Sequence, residues 1–366
     1  MDPGKSEKIL VLQTSFLGDT VLSLPLMTEI KRRFSQARLT LLCSPAGKEL
    51  LRDHPAFDAV LVDDKRGVDR GWLGLIRKAQ ELRRMGFSAA LTPHKSLRSA
   101  LLLFLARIPN RIGFRQSKGW FLFHQRVNRE VGRHDVERNL SVLKAFGIEP
   151  EDCCRDLVLP VKDSTQESVV RLLHSAGVDL EKLIVGINPG SVWPTKRWSA
   201  DGFARLVSLL KQKFDCEVLL FGGPEDVEVA IRIQKLCGEP VTNLAGKLSL
   251  GELPAAIGVC KIFVTNDSAP MHIAVARAVR TVAIFCATTP SLGFYPHTQD
   301  AVVVEKNLSC RPCGSHGGKR CPLGTEDCIR LIAPEDVFKA VENLLLERHD
   351  QRADGDPGCQ PELISV

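Results

Sequence analysis

The chain has 366 residues, of which 44% are hydrophobic and 25% are charged, and its formal net charge is +6. These proportions exclude a chain that is disordered throughout, and the length predicts two globular domains. The first residues lack the layout of a signal peptide, and no stretch approaches the roughly 18–20 consecutive apolar residues that a membrane-spanning helix needs. We therefore expect a cytoplasmic protein without a transmembrane segment.

The first half of the chain alternates short apolar runs with amphipathic stretches, which is typical of strands and helices that follow one another. The opening strand, KILVLQ, leads into the turn SFLGD. After this turn the apolar spacing predicts a helix from about 21 to 34. Further strands are predicted at 39–43, 59–62 and 89–91, and a further helix at 76–85.

The same alternation begins again in the second half. Its apolar runs are four to six residues long and are bounded by turn signals, as in parallel strands that helices cover on both faces. Strands are predicted at 183–187, 216–221, 261–266 and 281–285, and helices at 200–214, 227–236 and 271–279.

A polar, proline-bearing stretch, 159–165, separates the two series and predicts a linker. We expect an α/β protein with two Rossmann-like, doubly wound domains, 1–165 and 175–348, facing a central cleft, and a flexible tail at 349–366. In such sheets ligands bind outside the carboxyl ends of the strands. The turns SFLGD, NPGS, GGPED and NDSAP are therefore all expected to face the cleft.

The first turn places Asp19 directly after a glycine at the carboxyl end of a strand. The turn lacks the GxGxxG pattern, which argues against a dinucleotide dehydrogenase. Asp is a preferred helix cap. It can equally serve as a general base, which needs an ionised carboxylate within reach of the hydroxyl that it activates. The pattern alone leaves both roles open for Asp19.

The turn NPGSVWPTKRWS combines a glycine, a hydroxyl and two cations. Gly190 allows a close backbone approach, Ser191 can donate a hydrogen bond, and Lys196 and Arg197 add positive charge. Fixed cations and donors lower the barrier to departure of a diphosphate. We therefore predict a phosphate site here, although a basic pair on an ordinary surface is the alternative. In the turn GGPED, Glu225 is predicted to accept hydrogen bonds from a ribose or adenine group.

The turn before the third helix has strong helix-start chemistry. Pro270 suits the first helical turn, and Asp267 or Ser268 can cap the helix. The exposed N–H groups of a helix start bind anions readily. Because Asp267 would repel a diphosphate, we expect it to accept hydrogen bonds from sugar hydroxyls instead. A helix cap without a ligand is the alternative, and His272 is either a donor contact or a structural histidine.

Together these segments, with NLAGKLSLGEL and VTNDSAPMHIA, resemble glycosyltransferase family 9, and within it the lipopolysaccharide heptosyltransferase II type. The resemblance runs from about Lys8 to Leu345. It implies a GT-B fold, an ADP-heptose donor and inversion at the anomeric carbon. The implied acceptor is the inner-core heptose of nascent lipopolysaccharide, reached from the cytoplasm or peripherally at the inner face of the membrane. No cofactor is expected to be required for catalysis, and no nucleic-acid partner is expected.

The resemblance also implies roles for individual residues. Asp19 matches the family's general base, Lys196 its phosphate-binding lysine, and Asp267 the acid that holds the donor heptose. Ala269-Pro270 stands where family members often have Gly-Leu, which leaves the helix start intact. The implied donor-binding residues are Gly190, Ser191, Lys196, Glu225, Asp267, Ser268, Ala269 and His272.

Positive charge is concentrated between Lys95 and Arg138, where ten Lys and Arg residues face three acids. Such an excess is either a solvated basic face or a surface for an anionic partner. The family resemblance implies that basic residues of this domain bind the phosphorylated acceptor core. The residues implied to do so are Lys65, Arg66, Arg115 and Lys118.

Four of the twelve cysteines, Cys310, Cys313, Cys321 and Cys328, fall within 308–328. One CxxC with two further thiols suggests a zinc or iron–sulfur site. Reduced cysteines without a metal, or disulfides, are the alternatives. We expect any such metal to be structural, because the segment lies far in sequence from the cleft turns.

Two other functions are open at this point. A related family 9 enzyme could use a different sugar donor or acceptor, because the motifs specify the diphosphate better than the sugar. The other function is that of a sensor, which binds a nucleotide without turnover and senses metal or redox state through its cysteines. The positioned Asp19 and Lys196 argue against such a sensor.

Overall fold

The computed structural model describes residues 7–346 and 360–365, and the chain divides into two compact units, Met1–Val158 and Leu159–Val366. The stretch 159–165, predicted as a linker, belongs to the second unit. The backbone N–H of Leu159 donates to the carbonyl of Ala276 at 3.0 Å, and Arg277 Nη1 donates to the carbonyl of Leu159 at 3.0 Å.

The described part of the first unit contains one parallel sheet. Its strands are β1 (Lys8–Gln13), β2 (Arg38–Cys43), β3 (Ala59–Val62), β4 (Ala89–Thr92), β5 (Asn110–Phe114) and β6 (Gln125–Val127). Their order is β3-β2-β1-β4-β5-β6, so the chain winds outward in both directions from β1 and β4. The prediction of a doubly wound sheet is confirmed, and the turn after β1 lies at the point where the winding reverses.

The helices of the first unit follow the strands closely. The predicted helix 21–34 is two helices, because the chain turns at 22–23 and Pro25, which lacks an N–H, stands at the start of the second. Residues 120–122, 141–146 and 150–152 form 3-10 turns. The helices are α1 (Leu17–Val21), α2 (Leu24–Arg33), α3 (Pro45–Leu51), α4 (Gly71–Met85), α5 (Leu97–Leu105) and α6 (Asp135–Leu140).

The second unit contains a second parallel sheet in its described residues. Its strands are β7 (Leu183–Asn188), β8 (Cys216–Leu220), β9 (Thr242–Asn243), β10 (Ile262–Asn266), β11 (Arg280–Phe285), β12 (Ala301–Glu305) and β13 (Glu362–Ser365). The order is β13-β12-β11-β10-β7-β8-β9. The winding reverses between β10 and β7, which places the turns NPGS and NDSAP side by side.

The helices of the second unit begin where the sequence supplies a cap. Ser199 Oγ, for example, accepts the N–H of Gly202 at 3.0 Å and starts α8. Residues 194–196, 224–226 and 290–292 form 3-10 turns. The helices are α7 (Asp163–Ser175), α8 (Ala200–Lys213), α9 (Val227–Cys237), α10 (Leu253–Gly258), α11 (Ala269–Ala276), α12 (Asp327–Arg330) and α13 (Pro334–Leu346).

Each sheet is buried between its helices. In the first unit, Leu10 and Leu12 of β1 pack with Leu75 and Leu82 of α4. In the second unit, α8, α9 and α13 cover β7, β8 and β10–β12 with a larger cluster that includes Phe203. Burial on both faces explains why the strands read as continuous apolar runs.

The predicted flexible tail, 349–366, requires a correction. Residues 349–359 and 366 lie outside the described residues, but Glu362–Ser365 is β13, which pairs in parallel with β12 at the sheet edge. Ile364 is half-buried and packs against the core of the second unit. The polar composition of the tail concealed a strand of four residues that only its pairing stabilises.

None of the helices in the described residues is long and apolar enough to cross a lipid bilayer.

The placement of β13 predicts unequal effects for two adjacent substitutions. Ile364→Ser removes a half-buried apolar side chain and should lower the free energy of unfolding by about 1 kcal/mol. Leu363→Ser, at a side chain that is 55% exposed, should change it little. Chemical denaturation of the full chain measures both, and equal effects would contradict the register of β13.

Candidate functional site

The first unit carries one candidate site, the turn between β1 and α1, where Asp19 lies in the first turn of the helix. One oxygen of its carboxylate, Oδ2, accepts the backbone N–H of Phe16 at 3.3 Å. Ser15 Oγ donates to Gln13 Oε1 at 2.5 Å, which ties the turn back to the end of β1. Asp19 therefore stabilises the helix start, as the capping interpretation predicts.

The surroundings of Asp19 also make it a stronger base than an ordinary aspartate. Its pKa is raised to about 6. Burial is the largest cause and the negative charge of Asp135 the next, whereas hydrogen bonds from Ser15 and Phe16 and the charge of Arg129 act in the opposite direction. A carboxyl group with this pKa is mostly ionised at pH 7. It can therefore accept a proton at neutral pH, and its cap and base roles are compatible.

Asp135, at the start of α6, is a neighbour of Asp19 that sequence reasoning missed. Its carboxylate is buried, receives Arg129 Nη2 at 2.5 Å, and accepts a hydrogen bond from Asn139 Nδ2 at 3.3 Å. Arg129 is thus held beside Asp19 by a partner that neutralises it. The only available signal was that Asp135 is one of three acids in the basic stretch between Lys95 and Arg138.

The predicted acceptor-binding residues have different surroundings. Lys65 Nζ donates to the carbonyl of Thr14 at 2.6 Å, which brings its cation to the Asp19 turn, and burial lowers its pKa. The backbone N–H of Lys118 donates to the carbonyl of Lys95 at 3.1 Å. Arg66 and Arg115 are exposed at the surface.

His94 is another polar neighbour that the sequence did not single out. Its Nδ1 lies 3.0 Å from Ser99 Oγ. Burial and the nearby charges of Lys65 and Lys95 lower the pKa of His94 to about 4. The imidazole is therefore neutral at pH 7 and adds a hydrogen-bonding group, rather than a charge, to this cationic edge.

The second unit carries another candidate site, at the carboxyl ends of β7 and β10. Asn188 Nδ2 contacts the carbonyl of Gly190 at 3.1 Å, Thr265 Oγ1 at 3.2 Å and Ser268 Oγ at 3.3 Å. Asn266 Nδ2 donates to the carbonyl of Pro189 at 2.7 Å. These two asparagine side chains, which sequence reasoning missed, join the turns NPGS and NDSAP into one rigid unit.

Gly190 is close to a carboxylate rather than to open space. A Cβ at this position would lie 2.2 Å from Asp226 Oδ2. Asp226 caps the turn GGPED by accepting the N–H of Gly223 at 3.1 Å, and burial raises its pKa. The structure thus gives Gly190 a packing role, whereas Glu225 is exposed on the same turn.

Lys196 and Asp267 form a buried salt bridge with 2.6 Å between Lys196 Nζ and Asp267 Oδ2. Thr288 Oγ1 donates to the same oxygen at 2.6 Å. The two residues for which we expect different donor contacts, phosphate for one and sugar for the other, therefore lie in one cluster. A lysine ammonium has three N–H groups, so this pairing uses one donor and leaves two.

The remaining predicted donor residues surround this pair. Ser191 Oγ donates to the carbonyl of Asp267 at 3.4 Å, and α11 begins at Ala269. Ser268 occupies the cap position, but its hydroxyl donates to the carbonyl of Asn266 at 3.2 Å instead of capping the helix. Burial lowers the pKa of His272 to about 4, so this side chain is neutral at pH 7.

The cysteine-rich segment, 308–328, packs directly on the Lys196–Asp267 cluster. Thr195 Oγ1 accepts the N–H of Gly318 at 2.8 Å, which fixes the residue before Lys196. Arg311 donates to the carbonyls of Phe285 and Thr288 and to Glu305 Oε2. The segment is thus far in sequence from the predicted cleft turns, but it contacts one of them through Thr195.

The four cysteines of this segment do not form a metal site in the structure. The other three thiols all raise the pKa of Cys328, in addition to burial, so the four interact electrostatically. All four are free thiols, and none of the described His, Cys, Asp or Glu residues form a group of three or more that could hold a metal ion. Hydrogen bonds of the polypeptide itself, chiefly from Arg311, hold the segment.

Comparison with known proteins agrees with this geometry. The family described as glycosyltransferase family 9 (heptosyltransferase) matches residues 75–321. The chain is 29% identical to lipooligosaccharide heptosyltransferase 2 of Campylobacter jejuni over 347 residues, which are 93% of this chain and 99% of that protein. It is 27% identical to lipopolysaccharide heptosyltransferase 3 of Escherichia coli K12 over 342 residues, covering 90% and 96% of the two chains.

Comparison with a solved structure supports the assignment of the fold. The structure of E. coli ADP-heptose LPS heptosyltransferase II superimposes with a TM-score of 0.74 at 25% identity, covering 93% of this chain and 98% of that one. The α/β GT-B fold is thereby confirmed, with two parallel sheets flanked by helices. Because the family match spans more than half of its residues, the chain belongs to glycosyltransferase family 9 (heptosyltransferase) and is a glycosyltransferase.

Proposed function

We propose that this enzyme transfers L-glycero-D-manno-heptose from ADP-heptose to the inner-core heptose of lipopolysaccharide, with inversion at the anomeric carbon. The observation that carries the reaction type is Asp19, a carboxyl group with a pKa of about 6 at the carboxyl end of β1. Relatives named heptosyltransferase 2 that match over 93% of the chain support the sugar and the acceptor.

The proposed chemistry is a single displacement. Asp19 accepts the proton of the acceptor hydroxyl while that oxygen forms a bond to the anomeric carbon of the donor. The bond from this carbon to the diphosphate oxygen breaks on the opposite face, and ADP leaves with the electron pair. Inverting hydrolases use a general acid to protonate their leaving group. ADP is a good leaving group without protonation, so one base is sufficient.

Lys196 and its neighbours are proposed to stabilise the departing diphosphate. The Lys196 ammonium has two N–H donors in addition to the one bonded to Asp267. Ser191 and the amino end of α11 supply further donors. Asp267 keeps the site neutral until the anionic donor arrives, and then is proposed to accept hydrogen bonds from the heptose. Preorganised donors of this kind commonly contribute several kcal/mol to catalysis.

No metal or other cofactor is proposed, because Lys196 and the backbone donors offer the positive charge that the diphosphate needs. We place the enzyme in the cytoplasm, peripheral at the inner face of the membrane that carries the acceptor. Gly190, Glu225 and His272 remain proposed donor contacts, and Lys65, Arg66, Arg115 and Lys118 proposed acceptor contacts.

The alternative within the family is a different sugar or acceptor. The similarity to lipopolysaccharide heptosyltransferase 3 supports it, because this differently named relative is 27% identical to the chain and E. coli lipopolysaccharide heptosyltransferase 2 is 28% identical. The sensor hypothesis is set aside, since the chain belongs to a family of glycosyltransferases and keeps Asp19 in a position suited to a base.

The direct test is a donor panel with purified enzyme and a heptose-bearing core acceptor. We expect ADP-heptose to be used at least about 100-fold more efficiently than UDP- or GDP-linked hexoses, and EDTA to leave the rate unchanged. Mass spectrometry of the acceptor measures the added sugar. Preferred use of another donor would establish the alternative, and a loss of activity in EDTA that Mg²⁺ restores would contradict the cofactor proposal.

Asp19→Asn tests the base, since the amide oxygen can still accept the N–H of Phe16 and keep the helix start. We expect kcat to fall about 10²–10⁴-fold with little change in ADP affinity. In the wild type, kcat/KM should decline below a pH of about 6, as Asp19 becomes protonated. Asp135→Asn removes a negative charge that raises this pKa, so the decline should move to lower pH. An unchanged pH profile in Asp135→Asn would contradict this electrostatic coupling.

Lys196→Met tests the leaving-group site. We expect kcat to fall about 10²–10³-fold and the dissociation constant for ADP to rise, because the variant loses the cation and leaves Asp267 uncompensated. Lys261→Met, at an exposed lysine of the same unit, is the matched control and should behave like the wild type. Calorimetric ADP binding and initial rates measure both; equal behaviour of the two variants would exclude the proposed role.

A further inference from the structure

The first unit carries a row of exposed apolar side chains that its own core does not use. On α4, Trp72, Leu73 and Ile76 follow one another at helical spacing and are 66%, 84% and 43% exposed. On α5, Phe104 is 46% exposed. Isolated exposed apolar residues are ordinary, but a contiguous set marks a surface that binds a partner.

Contacts across two elements show that these residues form one surface. Ile76 and Phe104 line the same groove between α4 and α5. The guanidinium of Arg111 lies 5.4 Å from the centre of the Phe104 ring, and Arg111 Nε donates to the carbonyl of Leu122 at 2.9 Å. The turn that contains Leu122 also presents the exposed rings of Trp120 and Phe121. We call this surface the α4–α5 face.

The groove in this face has apolar walls and a positively charged lining, and the described residues that line it include no acid. Its volume is about 540 Å³, and its apolar lining includes Ile76, Ala79, Phe104 and Leu105. Its charged lining is Arg83, Arg107 and Arg111, with no Asp or Glu. By contrast, Arg77 and Arg98 elsewhere in this region are paired with Asp69 and Asp63.

The chemistry of the groove favours one occupant. Guanidinium groups bind phosphate oxygens well, and exposed Trp and Phe beside Arg are typical of proteins that sit in the interface of a bilayer. A nucleic acid would match the charge but would leave Leu73, Ile76 and Leu105 against a polyanion. An anionic phospholipid satisfies both the guanidinium groups and the apolar walls.

The amino end of α4 follows the carboxyl end of β3, so it lies at the same sheet edge as the Asp19 turn. The bond from Lys65 to the carbonyl of Thr14 joins the loop before α4 to that turn. Trp72 and Leu73 thus lie at the end of α4 that is on the side of the Asp19 turn, whereas the arginine-lined groove lies at the other end of α4.

We propose that the α4–α5 face docks on an anionic phospholipid bilayer, and that Arg83, Arg107 and Arg111 bind a phospholipid phosphate in the groove. This inference extends the peripheral location in the proposed function and does not depend on the sugar transferred. Each basic residue at such a surface contributes about 1 kcal/mol, or a factor of about 5 in partitioning.

The test is co-sedimentation of the full chain with vesicles of phosphatidylcholine, with and without phosphatidylglycerol. The wild type should bind the anionic vesicles more strongly. Arg83→Gln combined with Arg107→Gln should weaken this binding about 10-fold or more, and so should Trp72→Ser combined with Leu73→Ser. The substituted side chains are exposed, and circular dichroism checks that the variants are folded.

The matched control is Arg171→Gln combined with Arg232→Gln, which removes the same charge from exposed, carboxylate-paired arginines of the second unit. Its binding should change less than about 2-fold. Equal losses in the control and in the Arg83/Arg107 variant, or equal wild-type binding to both kinds of vesicle, would overturn the proposal. The assignment to lipid would be overturned if the wild type bound a single-stranded oligonucleotide more strongly than the anionic vesicles. The Arg83/Arg107 and Trp72/Leu73 variants would also have to lose that binding.

Parallel assays separate this inference from the proposed function. With a deacylated, water-soluble acceptor the Arg83/Arg107 variant should retain wild-type rates, and with the acceptor embedded in anionic vesicles it should be slower. If the wild type transferred no heptose to either acceptor, the proposed function would fail while the vesicle measurements still decided the docking. A loss of rate on the soluble acceptor would contradict a role confined to docking.

Discussion

The salt bridge between Lys196 and Asp267 is the interaction on which the proposed donor site depends. It exists because β7 and β10 are parallel neighbours, so their carboxyl ends bring the turns NPGS and NDSAP together. Burying two charges is costly unless further hydrogen bonds satisfy them. Thr288 supplies one at 2.6 Å, and the side chains of Asn188 and Asn266 keep the two turns in register. The result is a cation held rigidly before any anionic ligand arrives.

The cysteine-rich segment supports this cluster from outside the sheet. Gly318 holds Thr195, and Arg311 holds the carbonyl of Thr288, so both partners of the salt bridge are attached to 308–328 through a neighbouring residue. Arg311 is buried and its charge is matched by Glu305 at 2.8 Å. A segment with few apolar residues is thus held by one guanidinium group that bonds to the ends of β11 and β12.

In the first unit, Asp19 combines a helix cap with the proposed role of a general base, and the two roles favour different protonation states. A cap of this kind requires an ionised acceptor, whereas burial and Asp135 favour its protonation. A pKa of about 6 is the balance between these effects. The same carboxylate can therefore order the turn and accept a proton near neutral pH. Arg129 limits the shift, because its pairing with Asp135 places a positive charge close to Asp19.

The sequence by itself predicted eight of the thirteen strands in the described residues, five of the helices and the four turns at the carboxyl ends of strands, because hydrophobic periodicity and turn residues are local signals. It also singled out Asp19, Lys196 and Asp267, which stand in those turns. It failed at β13, since four residues of a polar tail form a strand only by pairing with β12.

Only the tertiary structure decided which charges meet. Asp135 beside Asp19, Asp267 against Lys196, and Arg311 beneath Thr288 are all contacts between residues far apart in the chain. No local pattern encodes such pairs, because the energy of an ion pair depends on distance and burial, and both follow from how the sheet and its loops pack. The chemistry-bearing residues could thus be named from the chain, but their pKa values and partners came from the fold.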